Sequence, residues 1–272
     1  MTVRVLAFTK PFGPMTVERL ADAVVEVGAD GADLVVRDGH TVTPAQPERI
    51  GEVAAALRSN GADLDIVTTD LVEPGADAER VLGACADAGV GLVRLGFFRY
   101  DAALGYQRCL DTARRDLAAL VDTAARHGVR PVLQLHHGTV HPSAALALRL
   151  LADLDGADGT DGPGVYADPG NQSKEGSESW PLHLDLLGER IVCIGVKNSA
   201  WREGPAGWTC DWQPFTDGGV VPWPDVLATL RERGYAGALS LHVHYTNPDP
   251  VEAVTRDLAH LRSLLAPQHV PA

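Results

Sequence analysis

The segment SLHVHY (240–245) places His242 and His244 two residues apart. In an extended chain that spacing turns both imidazoles to one face. Gln134 and His136 repeat the spacing in QLHHG (134–138), Asp168 closes GVYAD (164–168), and Lys197 closes IVCIGVK (191–197). Imidazoles titrate near neutrality and suit proton transfer. A carboxylate, a carboxamide and imidazoles on one rim could instead hold a divalent ion of Mn, Co, Fe or Zn character, Mg being less natural with imidazole. Lys197 could be a binding cation, a proton-transfer group or a Schiff-base amine. Arg37 and Arg94 could hold an anionic substrate group, or pair internally with Asp38 or Asp70. The plainer alternatives are hydrogen-bonded core histidines, a turn-capping role for Asp168, and an ordering role for Gln134 and His136.

The elements that must position these residues alternate strictly. Short apolar runs predict eight strands, at 3–8, 32–37, 63–69, 91–97, 130–136, 164–168, 191–197 and 237–245. Most are apolar nearly throughout, as parallel strands covered on both sides should be. Segments of helical periodicity lie between them, the first capped by Thr16, and several end at glycine (EVGADGADL, RSNGADLD, ARHGVRP, RERGYAG). Eight such units in this length predict one (β/α)8 barrel domain over residues 1–272. An open doubly wound sheet is disfavoured, because FTKPFGPMT follows the first strand where GxGxxG or a P-loop would stand.

Barrel active sites lie at the C-terminal strand ends, and there Lys10, Arg37, Arg94, Gln134, His136, Asp168, Lys197, His242 and His244 gather. The opposite ends carry no comparable set. The long 198–222 connection, with Trp201, Trp208, Trp212 and Phe215, reads as a lid or substrate wall. The segment 171–180, carrying Asn171 and Glu175, reads as a second lid. His127, His183 and His260 read as packing or surface residues on helices.

With 45% hydrophobic and 22% charged residues the chain can bury a substantial core. Its net charge of −13 argues against nucleic acid and anionic membranes as partners, leaving a small-molecule substrate. Cys85, Cys109, Cys193 and Cys210 show no CxxC spacing, and no apolar leader is evident, so reduced thiols in a cytoplasmic protein are expected. A C2 homodimer is the default assembly for such a chain.

The chain resembles the xylose-isomerase-like TIM barrels, a superfamily of sugar (phosphate) isomerases and epimerases that also includes inosose dehydratases and apurinic endonucleases. The resemblance spans essentially the whole sequence. It is carried by QLHHG (134–138), DPGNQSKEG…W (168–180), VKNSAW (196–201), PFTDGGV (214–220) and SLHVHY (240–245). It implies isomerisation or epimerisation of a polyhydroxy carbonyl compound by proton abstraction α to the carbonyl, through an enediolate. It also implies a divalent metal (Mn, Co, Fe, Zn or Mg) on Glu, Asp, His and Glu from strands five to eight. Those positions here are Gln134, Asp168, Gly195 and His242, so three of the four usual ligands are replaced. The metal candidates are Asp168, His242 and Gln134. The catalytic candidates are Lys197, His244, His136 and Glu175, and the substrate-binding candidates are Arg37, Arg94, Asn171 and Trp201. A lyase or dehydratase using the same enediolate, also on a non-sugar substrate, and a catalytically degenerate ligand-binding barrel are the alternatives. An endonuclease is disfavoured by the acidic charge.

Overall fold

A strand covered on both faces has no reason to alternate in polarity, and the runs GADLV and GVYA are buried at every residue. In the computed structural model, which describes residues 3–154, 162–176, 178–205 and 207–266, they form β2 (Gly31–Val35) and β6 (Gly164–Ala167). With β1 (Arg4–Phe8), β3 (Asp63–Thr68), β4 (Leu92–Arg94), β5 (Arg130–Gln134), β7 (Ile191–Val196) and β10 (Ala238–Leu241) they close a parallel barrel. Its cyclic order is β1-β10-β7-β6-β5-β4-β3-β2. This is the expected (β/α)8 barrel.

The outer layer is α1 (Val17–Glu26), α2 (Arg49–Ser59), α3 (Ala76–Asp87), α4 (Tyr106–His127), α5 (Ala144–Leu151), α7 (Trp180–Leu187), α8 (Trp223–Glu232) and α9 (Pro250–Leu265). A one-turn helix, α6 (Pro169–Gln172), follows β6. Thr16 caps α1 by accepting from the Arg19 amide, and Asp249 caps α9 by accepting from Val251 and Glu252. Each such cap is worth about 1 kcal/mol. The helix α4 stops at Gly128, whose φ of 68° is left-handed and favours glycine.

Apolar side chains divide between the two faces of the strands. Leu6, Ile66, Val132, Tyr166 and Cys193 pack inside the barrel, and a larger cluster fills the space between strands and helices. Alternation therefore turns Phe8, Thr68, Gln134, Asp168, Gly195 and Lys197 inward above that inner layer. Several predicted strands are too long, the fourth and eighth most of all: β4 ends at Arg94 and β10 at Leu241, while β2 ends at Val35 and β5 at Gln134. The ladder nevertheless runs one bond further, from the Leu95 amide to Val132 O (3.0 Å) and from the His242 amide to Val196 O (2.8 Å). His242 therefore continues the inward alternation.

The expected long loop after β7 is a β-hairpin of β8 (Asn198–Gly204) and β9 (Gly207–Gln213), paired antiparallel. The N-terminal strand ends also differ from expectation, because Arg4 bonds Asp65 and Asp63, and Arg262 bonds Asp30. That cluster is partly exposed and internally paired, which makes it a modest stabilising feature. Among the described residues no helix is long and apolar enough to cross a membrane.

Candidate active site at the barrel mouth

Asp33 is wholly buried in β2, and its carboxylate accepts from three hydroxyls. Thr68 reaches Oδ1 at 2.6 Å, while Tyr166 and Ser240 reach Oδ2 at 2.9 and 3.0 Å. With its proton committed to Asp33, the Tyr166 oxygen accepts from His242 Nε2–H at 2.7 Å. That assigns the tautomer: the His242 lone pair lies on Nδ1, which has no partner among the described residues. Phe8 stacks on the His242 ring at 4.0 Å and fixes its plane. The relay Asp33–Tyr166–His242 escapes sequence reading, because Asp33 and Tyr166 sit inside apolar runs and look like core.

Asp168 forms a second cluster. Its Oδ2 accepts from Lys197 Nζ (2.8 Å), Gln134 Nε2 (2.7 Å) and Asn171 Nδ2 (2.9 Å), while Oδ1 accepts from the Asn171 amide (2.8 Å). The turn-capping reading of Asp168 is thus correct together with a site role. Burial pushes the Asp168 carboxyl up and the Lys197 ammonium down, and each opposes the other's shift through the ion pair. Held on that carboxylate at 2.8 Å, the Lys197 side chain is fixed in position at the end of β7.

Lys197, Gln134, Asn171, His242 and His244 line a cavity of about 160 Å³ together with His136, His137, Phe8, Phe97, Trp212, Lys10, Arg37 and Arg94. Asp168 lies outside this wall and reaches the cavity only through its partners. Burial, reinforced by Lys197, lowers His242 and His244 well below the ordinary imidazole range. His136, its ring tilted against Phe97 at 3.9 Å and stacked on His137 at 4.1 Å, is pushed down to about 2, and His137 to about 4, both chiefly by burial. The wall is therefore made of neutral imidazoles beside fixed cations.

Besides Asp168, two expected site residues stand outside the cavity wall. Glu175 turns its Oε1 to the Gly138 amide at 2.5 Å, bracing the loop after β5. Trp201 is 42% exposed and donates its indole N–H to Ser173 O at 3.2 Å. The hairpin register explains the second case. Trp212 pairs with Ser199 near the base of the hairpin, whereas Trp201 pairs with Cys210 two residues further out, about 6–7 Å along the strand. Trp212 accordingly covers the cavity, its ring 4.8 Å from Lys197 Nζ and 4.3 Å from Lys174 Nζ. Of the two expected cations, Arg37 makes a two-armed ion pair with Asp70, and Arg94 projects from β4 into the wall.

The metal candidates Asp168, His242 and Gln134 do not form a ligand set. Oδ2 of Asp168 is taken up by N–H donors, one of them an ammonium, and Gln134 presents its NH2 group to that carboxylate. His242 Nε2 is committed to Tyr166. Among the described residues no group of three His, Cys, Asp or Glu side chains could hold a metal ion. The donor set does not fit a divalent cation.

A family model described as xylose isomerase-like TIM barrel matches residues 21–264. No curated protein matches the sequence. Among solved structures, a 3-keto-D-glucoside 4-epimerase from E. coli superposes with a TM-score of 0.72 at 16% identity, over 96% of this chain and 100% of that one. A probable 3-DHS dehydratase from Bacillus anthracis gives 0.74 at 13% identity, over 96% and 99%. A xylose isomerase-like TIM barrel protein from Mycobacterium smegmatis, solved in complex with magnesium, gives 0.70 at 19% identity, over 97% and 98%. At these identities the structures share the fold.

Proposed function

Since the chain belongs to the xylose isomerase-like TIM barrel family, we propose that it is an isomerase or epimerase of a sugar or related polyhydroxy carbonyl compound. The observation that carries this reading is the placement of a neutral base, His242, in the same cavity wall as the fixed Lys197 cation. His242 Nδ1 takes the proton α to the carbonyl. The C–H electron pair moves into the new C=C bond and the carbonyl pair onto oxygen, giving an enediolate. Lys197 faces the developing oxyanion, and electrostatic stabilisation of this kind is usually the largest catalytic contribution. The imidazolium that forms keeps its Nε2–H on Tyr166, whose own proton remains on Asp33, so the relay orients the ring and stabilises its charge. Return of the proton to the neighbouring carbon, with the hydroxyl proton passing between the two enediolate oxygens, isomerises the sugar. Epimerisation places on the other face of the same carbon a proton that His244 takes from solvent on one ring nitrogen and gives from the other, while His242 returns its own proton to solvent. Phe8, Phe97 and Trp212 supply the apolar part of the wall around the enediolate.

Structural neighbours with epimerase activity in their names, such as an L-ribulose 3-epimerase and a D-psicose 3-epimerase, agree with this chemistry. A dehydratase is the second reading, because the same enediolate expels a β-hydroxyl if an acid is available, and one neighbour is named a probable dehydratase. Incubation with a panel of ketoses and sugar acids in D2O, followed by NMR, tests the proposal. Deuterium entering the α position together with an epimeric or isomeric product is expected. Exchange followed by a dehydrated product assigns the lyase, and the absence of α-exchange across the panel overturns both.

A further inference from the structure

Arg94 is 2% exposed, and its guanidinium is only partly satisfied. Nη2 donates to Thr69 O at 3.2 Å, and the guanidinium carbon lies 4.6 Å from the Phe97 ring centroid. Nε and Nη1 have no partner among the described residues. A buried cation left with open donors is costly, because its hydration is lost without replacement. The nearby carboxylate of Asp33 does not close the gap, since its oxygens are taken by Thr68, Tyr166 and Ser240.

Two more cations stand on the same side of the cavity. Lys10, after β1, makes no ion pair among the described residues, and Arg37, after β2, is held by Asp70. Lys10, Arg37 and Arg94 are close enough that Arg37 and Arg94 each disfavour the charge on Lys10. The cavity lining contains no aspartate or glutamate, although the chain as a whole carries −13. The wall is thus a local positive focus in an acidic protein, an arrangement that draws and orients anions. Lys197 and His242 line the same cavity, close enough to feel the charges of Lys10 and Arg94.

We infer that the substrate carries an anionic group, a carboxylate or a phosphate, held by Arg94 Nε and Nη1 together with Lys10, with Arg37 at the edge. The inference rests on the isomerase reading and narrows its substrate to a sugar acid or sugar phosphate. At about 10–15 Å³ per water position, a cavity of about 160 Å³ holds on the order of ten waters, the space of one small monosaccharide.

Thermal denaturation and isothermal titration at constant ionic strength, with acetate and inorganic phosphate as probes against chloride, test it. Wild-type protein should be stabilised by at least one of the two, and the better probe assigns carboxylate or phosphate. Arg94→Met should weaken that binding at least about ten-fold and Lys10→Met about three-fold, as expected for lost charge-assisted hydrogen bonds. If Arg94→Met does not fold, Lys10→Met at the rim and Arg94→Lys carry the same test. No stabilisation by either anion, or equal binding by wild type and variants, overturns the inference. Loss of anion binding in a protein that still exchanges the α-proton of neutral sugars removes this inference alone. Anion binding without α-exchange on any sugar or sugar acid removes the isomerase reading alone.

Discussion

Lys197 Nζ lies 2.8 Å from Asp168 Oδ2, and the two side chains are 4% and 0% exposed. An ion pair so deep gains little over an apolar replacement of both members, yet removal of one leaves an unpaired buried charge. Lys197→Met should therefore cost about 3–5 kcal/mol in urea denaturation. Asp168→Asn should cost a comparable amount, and the double variant distinctly less than the sum. Additive losses would show that the two groups do not depend on each other.

Tyr166→Phe removes the hydroxyl between Asp33 and His242 while keeping the ring in the inner core. A fall in kcat of roughly 10–100-fold with little change in KM is expected, the size found when an orienting partner is lost. The pH profile separates catalysis from packing. Without Tyr166 and Asp33 to stabilise its charged form, His242 binds a proton less readily, so the acid limb of kcat/KM should move to lower pH. An unmoved limb would confine Tyr166 to a packing role.

His141 is wholly buried, and burial pushes its imidazole down to about 3. The unfolded chain titrates this group near 6.5, so between these values the unfolded state binds the extra proton. Stability from this group is complete above pH about 6.5 and is lost as pH falls toward 3, amounting to about 2 kcal/mol already at pH 5. His141→Leu should flatten the fall in Tm between pH 7 and pH 5. An unchanged slope would place the acid sensitivity elsewhere, His183 (about 4, lowered by burial) being the next group to replace.

Trp212→Ala should raise KM about ten-fold, because the ring covers the cavity and faces two ammonium groups. Trp201→Ala should leave KM within about two-fold, since that indole is tied to Ser173 outside the cavity wall. Steady-state kinetics on the pair checks the hairpin register directly, and equal effects would contradict it.

The barrel was legible because its strands are buried on both faces and its helices end at glycine, two signals written locally in the chain. The strand-end rule then found Lys197, Gln134, His136, His242 and Arg94, because it asks only where a polar residue falls along a strand. It could not find Asp33 or Tyr166, whose importance comes from one hydroxyl crossing the barrel between strands distant in sequence. Nor could it choose Trp212 over Trp201, since that depends on a hairpin register with no marker in composition. The polar neighbours of Glu175 suggest a lid, but its carboxylate accepts from a backbone amide.

Gly195 sits where both hydrogen-bond clusters meet. A Cβ there would lie 2.7 Å from Asp168 Oδ2, closer than real Cβ atoms come, and 3.1 Å from Tyr166 Cε1, a tight contact. This is also the position at which the family resemblance places a ligand histidine. A histidine cannot simply be introduced, because its side chain would arrive where Asp168 already stands. A lineage or a designer seeking a metal ligand at 195 would first have to displace Asp168 from Lys197, passing through a protein with an unpaired charge in its interior. The bare backbone at 195 and the buried ion pair beside it are therefore one arrangement: neither can be altered without the other giving way.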